Sequence, residues 1–281
     1  MSLWIVKGHL GAGKTLFATK LIYDSGSHYK AIYCNVPVSE KVIKRLVAFG
    51  VEYYFISFKD ISDFWLKRWK YEEKKLLIID EAHFEVNSRD WQKFMKSEDY
   101  KNIIRFFSMS RKAGFDVYLI AQNDTMLDKQ LRGMAAGVIE IRNVKYMKVF
   151  GFLPMWIFFP PLYFMNVAIY YAGWDTRDKY ILQREFYIRN LYYGLFDTSF
   201  NYLEHNLEEL KEVYQVVYSH YVALKKLGYI KTPKRWFKFK RNKKRESFLE
   251  KFLRFYRDVK QKRGGSHETL SRVSTAREVA L

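Results

Sequence analysis

The sequence predicts an α/β fold, a mostly parallel β-sheet with helices on both faces. Three observations lead to this prediction. Short runs rich in Leu, Ile and Val, without polar alternation, are typical of strands buried on both sides. Helical segments separate these runs, and a glycine-rich loop joins the first run to the first helix. Strands are predicted at residues 2–7, 31–36, 53–58, 76–80, 116–122 and 138–144, and helices at 14–24 and 102–112.

The composition indicates a folded chain with an anionic partner. Apolar residues make up 49% of the 281 residues, which is enough for a substantial core and excludes a disordered chain. The single cysteine, Cys34, excludes an internal disulfide framework and a thiolate metal cluster, and the six histidines lack zinc-ligand spacing. The net charge of +19 indicates a polyanionic partner, either nucleic acid or an anionic membrane surface.

A phosphate-binding loop follows the first predicted strand. GHLGAGKT at residues 8–15 matches the pattern G-x-x-x-x-G-K-[ST], with a strand before it and a helix after it, as the chemistry requires. Glycines let the backbone turn its N–H groups toward a phosphate at the positive end of the helix. Lys14 can reach the β- and γ-phosphates of ATP, and Thr15 can ligate Mg²⁺. The predicted nucleotide-binding residues are Gly8, Gly11, Ala12, Gly13, Lys14 and Thr15.

A pair of acids follows another buried run. Four apolar residues lead into Asp80 and Glu81, which fits a strand ending at the carboxyl edge of the sheet, where ligands bind in open α/β folds. Asp80 is predicted to hold Mg²⁺ through water, and Glu81 to act as the general base that orients the attacking water. The alternative is a pair of acids that only stabilises the N-terminus of a helix.

Further motifs occur in order along the first 200 residues. They are DEAHF at 80–84, SRDW at 88–91, SRKAGFD at 110–116, LIAQ at 119–122, LR at 131–132 and YYGLFDTS at 192–199. With the phosphate loop, these motifs resemble the zonular-occludens-toxin (Zot) family, the assembly ATPases of filamentous phages, and its relatives among the FtsK–HerA DNA translocases. Members of that family typically carry a membrane span after the ATPase domain, and nothing here after residue 199 is long and apolar enough for one.

The resemblance implies a RecA-like P-loop domain that hydrolyses ATP in a homo-oligomeric ring, expected to be a hexamer. It also implies that Gln122, at the end of a buried strand, is the polar sensor of the γ-phosphate. Arg111 matches an arginine of the translocase motif and is predicted to contact nucleotide or a neighbouring subunit. Arg105 and Arg132 are rivals for an arginine finger acting in trans, and each of these arginines can equally be an ordinary solvated side chain.

One long segment lacks charge. No charged residue occurs between 149 and 173, and Pro154, Pro160 and Pro161 interrupt the run. The prolines argue against one straight spanning helix, while basic residues on both sides favour both ends on the cytoplasmic face, as in a re-entrant dip. The segment can equally be a buried or oligomer-facing β region, with strands near 167–171 and 180–188, and a true span is the least favoured interpretation.

The C-terminal part is strongly basic. A helix is predicted at 203–227, and residues 230–263 contain 15 Lys and Arg against 3 Asp and Glu. Aromatic and basic residues alternate at 235–241, and apolar residues recur at helical spacing from 248 to 256, as in a basic amphipathic helix. This helix can lie on an anionic membrane, hold a nucleic-acid backbone or dock on its own domain. The predicted domains are 1–200 (Zot-like ATPase with the apolar insertion 149–173), 201–263 (basic helical appendage) and 264–281 (flexible tail).

The phosphate loop and the acidic pair predict an ATPase dependent on Mg²⁺, and the family resemblance implies that it is a motor for the assembly and extrusion of a filamentous virus. It would act on viral DNA or capsid protein in the host cytoplasm, peripheral to or dipping into the inner membrane, with an anionic membrane surface as partner. The first apolar run, 3–6, is too short for a signal peptide, which agrees with a cytosolic N-terminal region. The alternatives are a motor that packages a viral genome into a preformed capsid, and a membrane scaffold that uses ATP only as an assembly ligand.

Overall fold

The computed structural model of the chain describes residues 2–82, 97–123, 127–149, 153–154, 157, 160–173, 180–196 and 207–231. Strands alternate with helices through most of this part, as the sequence predicts. The strands are β1 (Leu3–Lys7), β2 (Ala31–Cys34), β3 (Glu52–Phe55), β4 (Lys75–Ile79), β5 (Phe115–Ala121), β6 (Gly137–Asn143), β7 (Lys148–Val149), β8 (Leu153–Pro154), β9 (Met165–Ala172) and β10 (Tyr180–Ile188). The helices are α1 (Lys14–Ser25), α2 (Glu40–Phe49), α3 (Glu98–Met109), α4 (Lys129–Met134) and α5 (Leu207–Lys226).

Eight of these strands form one mixed sheet in the order β10-β9-β6-β1-β5-β4-β2-β3, and β7 pairs with β8 alone. Neighbours from β6 to β3 are parallel, whereas β9 and β10 are antiparallel additions at one edge. Because β1 lies between β5 and β6, the loop that follows it opens near the middle of the carboxyl edge. The predicted fold class, a mostly parallel α/β sheet with helices on both faces, is confirmed.

Two apolar layers cover the two faces of the sheet. Neighbouring residues of β1 belong to different layers: Ile5 lies in the layer that contains Phe106 of α3, whereas Val6 lies in the layer that contains Phe17 of α1. Unlike the edge strand β10, whose residues are mostly exposed, the inner strands β1 and β4 are therefore largely buried on both faces. Such burial explains why they are apolar without alternation.

The last described helix, α5, packs on β3 and α2 at the far edge of the sheet. The Tyr214 ring stacks on Phe55 with centroids 4.8 Å apart, and Lys225 Nζ donates to the Val47 carbonyl at 2.8 Å. Of the helix predicted at 203–227, the structure confirms Leu207–Lys226, and residues 203–206 lie outside the described residues. The predicted limits of the domains stay a prediction.

The uncharged segment contributes an interior strand. β9 lies between β6 and β10, and its residues 166–169 are buried. This part of the segment belongs to the core of the domain, in keeping with the interpretation as a buried β region. Among the described residues, no helix has the length and apolar character needed to cross a membrane. The SRDW motif at 88–91, the predicted amphipathic helix and the predicted tail lie outside the described residues.

Candidate nucleotide-binding site

The loop between β1 and α1 curls before the helix begins. Ala12 N donates to the His9 carbonyl at 3.0 Å, and Phe17 N donates to the Gly13 carbonyl at 3.0 Å as the helix starts. Gly11 and Gly13 have φ angles of 73° and 90°, in the left-handed region that favours glycine. The backbone turn therefore requires both glycines. The loop ends at the N-terminus of a 12-residue helix, where an anion is favoured.

Lys14, the first residue of α1, folds back onto the loop. Only 6% of the residue is exposed, and its Nζ donates to the carbonyls of Gly8 at 3.2 Å and His9 at 3.5 Å. The ammonium group therefore lies beside the loop. An ammonium at this place can form strong, charge-assisted hydrogen bonds with a phosphate, which suits the role predicted for Lys14.

A hydrogen bond ties the loop to the end of β4. Thr15 Oγ1 donates to Asp80 Oδ2 at 2.6 Å, and Asp80 is almost fully buried. Asp80 directly follows β4, so its carboxylate lies at the carboxyl edge of the sheet, as predicted. Hydroxyl and carboxylate oxygens are the protein ligands that Mg²⁺ takes beside phosphate oxygens. The donor set therefore fits the ion that the sequence predicts.

Asn35 fixes Asp80 from the neighbouring strand. It follows β2, and its Nδ2 donates to the Asp80 carbonyl at 2.8 Å while the Asp80 N–H donates to its Oδ1 at 2.6 Å. This two-point contact orients the backbone that carries the Asp80 carboxylate. Sequence reasoning missed Asn35. Its one signal is a polar residue at the end of a buried strand, where the ends of parallel strands meet.

Burial changes the acidity of both carboxyl groups. Burial is the main cause that raises the pKa of Asp80 to about 6, and the hydrogen bond from Thr15 opposes it. Burial also raises the pKa of Glu81, against the effect of the positive charge on Lys14. Glu81 has a φ of 49°, which is uncommon for a residue other than glycine. Raised carboxyl pKa values and unusual backbone angles both cluster at functional sites.

Gln122 stands at the same edge of the sheet. It directly follows β5, and β5 lies between β1 and β4, so Gln122 is placed between the phosphate loop and Asp80. The fold thus brings together the loop, Asp80, Glu81 and Gln122. Their roles in the reaction stay predictions.

The three arginines are carried by other elements. Arg111 is exposed in the turn before β5, at the amino edge of the sheet. The seven residues of β5 separate it from the phosphate loop by about 20 Å, at the usual rise per strand residue. Arg105 is on α3, where it forms an ion pair with Glu98 at 2.9 Å, and Arg132 is on α4. The structure therefore does not bring Arg111 to the phosphate loop of its own chain.

We expect Asp80→Asn to stabilise the protein in the absence of nucleotide and metal. A carboxyl whose pKa is higher in the folded protein, here about 6, than in the unfolded chain destabilises the folded state while it is ionised. Above pH 6 this cost is on the order of 2–3 kcal/mol, and it shrinks as the pH falls from about 6 to about 4. Asparagine can still bond to Thr15 without carrying the charge.

Thermal unfolding of wild type and Asp80→Asn at pH 7.5 and pH 5 checks this. The midpoint of the variant should be higher at pH 7.5, and the difference should be smaller at pH 5. A midpoint of Asp80→Asn equal to or lower than that of wild type at pH 7.5 would show that the buried Asp80 charge does not destabilise the folded protein.

The fold and the site define the class of this protein, a P-loop NTPase fold with a phosphate loop after β1 and an acidic pair after β4. The family model described as zonular occludens toxin (Zot) matches residues 2–151, and the chain belongs to this family. The resemblance identified from the sequence motifs is confirmed.

Phage proteins are among its relatives. The gene 1 protein of Escherichia phage If1 is 29% identical over 153 residues, which are 51% of this chain and 42% of that protein. The gene 1 protein of Salmonella phage IKe is 25% identical over 158 residues, which are 53% of this chain and 42% of that protein. The chain thus spans about two fifths of the length of these curated relatives.

Solved structures with a similar fold are more distant in sequence. The N-terminal domain of zonular occludens toxin from Neisseria meningitidis aligns with a TM-score of 0.43 and 14% identity, over 70% of this chain and 98% of that one. The genome packaging NTPase of Sulfolobus turreted icosahedral virus 2, solved with ATP-γS, aligns with a TM-score of 0.39 and 15% identity, over 65% of this chain and 97% of that one.

Proposed function

We propose that the chain binds ATP with Mg²⁺ and hydrolyses it to ADP and phosphate. The observation that carries this proposal is the 2.6 Å hydrogen bond between Thr15 Oγ1 and Asp80 Oδ2, which joins the phosphate loop to the acidic end of β4. Thr15 and Asp80 would hold the ion, which neutralises phosphate charge when bound. Lys14 and the N–H groups of the loop would bind the phosphates.

Glu81 would take the proton from the attacking water. It directly follows Asp80, and its raised pKa makes the carboxylate a better base near neutral pH than an ordinary surface glutamate. Gln122, at the end of the neighbouring strand, would contact the γ-phosphate and respond to its loss. Together these residues place a base and a polar sensor around the phosphate loop.

We infer that hydrolysis takes place in a ring of identical subunits, a hexamer by the family resemblance. Arg111 lies at the edge of the sheet opposite the phosphate loop, so it would act at the site of a neighbouring copy rather than its own. Arg105 and Arg132 remain alternative candidates for the arginine that acts in trans. An arginine supplied in trans stabilises charge in the transition state only when the ring is assembled.

The biological role that we propose is the assembly and extrusion of a filamentous phage. Membership of the Zot family and similarity to phage gene 1 proteins support this role. The net charge of +19 suits viral DNA as the translocated substrate, and capsid protein is the alternative.

Exposed apolar side chains support a place at the cytoplasmic membrane face. Several large apolar residues on β10 and on the turns next to β6 and β9 are exposed. They are Tyr146, Phe164, Leu182, Phe186 and Ile188. Arg184 of the same strand is exposed as well, so the surface is suited to anionic headgroups. The same surface can instead form a contact between subunits of the ring.

The test is hydrolysis of ATP by the purified chain with Mg²⁺, with Glu81→Gln as the blank. The assay is run alone, with single-stranded DNA and with anionic liposomes. Stimulation by DNA alone would point to a nucleic-acid motor, including one that packages a genome, and stimulation by liposomes alone to a membrane-based assembly engine. Nucleotide-dependent oligomers without turnover above the blank would overturn the ATPase and favour the membrane scaffold.

A further inference from the structure

A buried asparagine far along the chain contacts the phosphate loop. Asn166 lies on β9 and is completely buried. Its Nδ2 donates to the Ala12 carbonyl at 2.9 Å and lies 3.4 Å from the Tyr187 hydroxyl on β10. The sequence motifs gave no sign of this contact, because 154 residues separate the two partners.

The amide packs directly on the loop backbone. A Cβ atom at Gly13 would lie only 2.5 Å from Asn166 Nδ2, closer than side-chain atoms approach. Asn166 therefore meets the loop at the peptide that joins Ala12 to Gly13, immediately before α1. This peptide belongs to the part of the motif that turns its N–H groups toward a phosphate.

The hydrogen bond from Asn166 to the Ala12 carbonyl also fixes the orientation of the next N–H group, because the peptide is planar. In a planar trans peptide the C=O and the N–H point in opposite directions. A hydrogen bond that holds the Ala12 carbonyl toward Asn166 therefore fixes the Gly13 N–H on the other side. We propose that Asn166 is a positioning residue, which holds the Ala12–Gly13 peptide with its N–H directed at the bound phosphate of the nucleotide. This inference rests on the proposed binding of ATP.

The surroundings of Asn166 favour a functional role for its side chain over a purely stabilising one. Its Oδ1 is buried and makes no hydrogen bond within the described part of the chain. An unsatisfied buried carbonyl lowers stability and so offsets part of what the hydrogen bond from Nδ2 to Ala12 contributes. A polar residue kept in such a place is typical of sites where function is maintained at the expense of stability.

The β9–β10 hairpin that carries Asn166 is attached firmly to α1. Lys20 Nζ forms an ion pair with Glu185 of β10 at 2.5 Å, and Tyr192, beyond β10, donates to Asp24 at 2.8 Å. Asn166 therefore lies on a hairpin that is bonded to α1, the helix that follows the phosphate loop. A fixed donor of this kind can hold one peptide orientation, as a flexible surface side chain cannot.

The test compares Asn166→Leu with Asn143→Leu in the full chain. Asn143 faces Asn166 in the register of β6 and β9 and is also buried, but its side chain accepts a hydrogen bond from Lys145 N at 3.0 Å. We expect Asn166→Leu to weaken binding of a fluorescent ATP analogue with Mg²⁺ about fivefold or more, as the loss of one hydrogen bond implies. Its nucleotide-free unfolding midpoint should fall no further than that of Asn143→Leu, because each variant leaves one backbone group without its side-chain partner. Asn143→Leu should lower the midpoint but leave the affinity for nucleotide unchanged.

Steady-state kinetics give a second readout that a structural role would not move. A backbone N–H that binds phosphate equally before and during the reaction contributes uniform binding, so Asn166→Leu should raise KM for ATP and leave kcat nearly unchanged. Tyr187→Phe, which removes the other neighbour of Nδ2, should leave KM unchanged. If Asn166→Leu does not fold, Asn166→Ala replaces it, since it removes the amide donor without adding a charge.

The outcomes separate this inference from the proposed function. Wild-type affinity and KM in a folded Asn166 variant would overturn the positioning role of Asn166. The proposed hydrolysis of ATP would not be affected by that result. An equal loss of affinity in Asn143→Leu or Tyr187→Phe would overturn it as well, because the contact with Ala12 would not be the cause. A wild-type chain that binds no nucleotide would overturn the proposed function, and this inference with it.

Discussion

Lys14→Ala is expected to abolish ATP binding and turnover. The Lys14 ammonium lies beside the phosphate loop, against the carbonyls of Gly8 and His9, and no other lysine of α1 replaces it there. Each charge-assisted hydrogen bond contributes about 1.5–3 kcal/mol, so the loss of two such bonds to phosphate weakens binding by roughly a hundredfold or more. Titration with a fluorescent ATP analogue and assays of phosphate release measure the effect.

Lys44→Ala is the matched control for this variant. Lys44 is exposed on α2, and the substitution removes the same single positive charge from the chain. It should bind ATP with wild-type affinity, which separates a local contact from the effect of net charge. Wild-type affinity in a folded Lys14→Ala would mean that the phosphate loop is not the nucleotide site.

The order of elements in the first half of the fold was predictable from burial alone. In β4, the four residues after Lys75 are all apolar, because one pair packs in the layer of α1 and the other pair in the layer of α3. Continuous apolar runs of that length indicate strands with both faces covered. The turn of the phosphate loop was also predictable from its glycines, because Gly11 and Gly13 have left-handed φ angles that other residues rarely adopt.

The order of strands across the sheet was not predictable in the same way. Whether Gln122 lies beside the phosphate loop depends on β5 being inserted between β1 and β4, and chain order alone does not state this. The same placement puts Arg111 at the opposite edge. The helix α2 was also missed, although Gly50, with a φ of 76°, ends it in the usual manner.

Asn35 and Asn166 show why parts of the site escaped prediction. Each lies at or near the end of a strand and acts through a hydrogen bond to the backbone of a distant residue, Asp80 in one case and Ala12 in the other. A backbone group carries no sequence signature, so a contact with it leaves no pattern in the partner residue. Such residues become visible only when the tertiary fold brings the strand ends together.

Glu81→Gln is expected to bind ATP with nearly wild-type affinity and to hydrolyse it about 10²–10⁴-fold more slowly, the usual range for loss of a general base. Glutamine keeps the size of the side chain and its hydrogen-bonding capacity but cannot accept a proton from water. The left-handed φ of 49° is a property of the backbone and should persist, so the substitution tests the carboxylate itself. Phosphate release under single-turnover conditions gives the rate of the chemical step.

Glu72→Gln is the matched control, because Glu72 is exposed just before β4 and thus at the other end of the strand from Glu81. The two variants make the same chemical change, one at each end of β4. Only Glu81→Gln should lose turnover, and it should retain bound ATP long enough to stabilise any nucleotide-dependent oligomer. Normal turnover in Glu81→Gln would exclude Glu81 as the base. The attacking water would then have to be activated by another group at the carboxyl edge of the sheet.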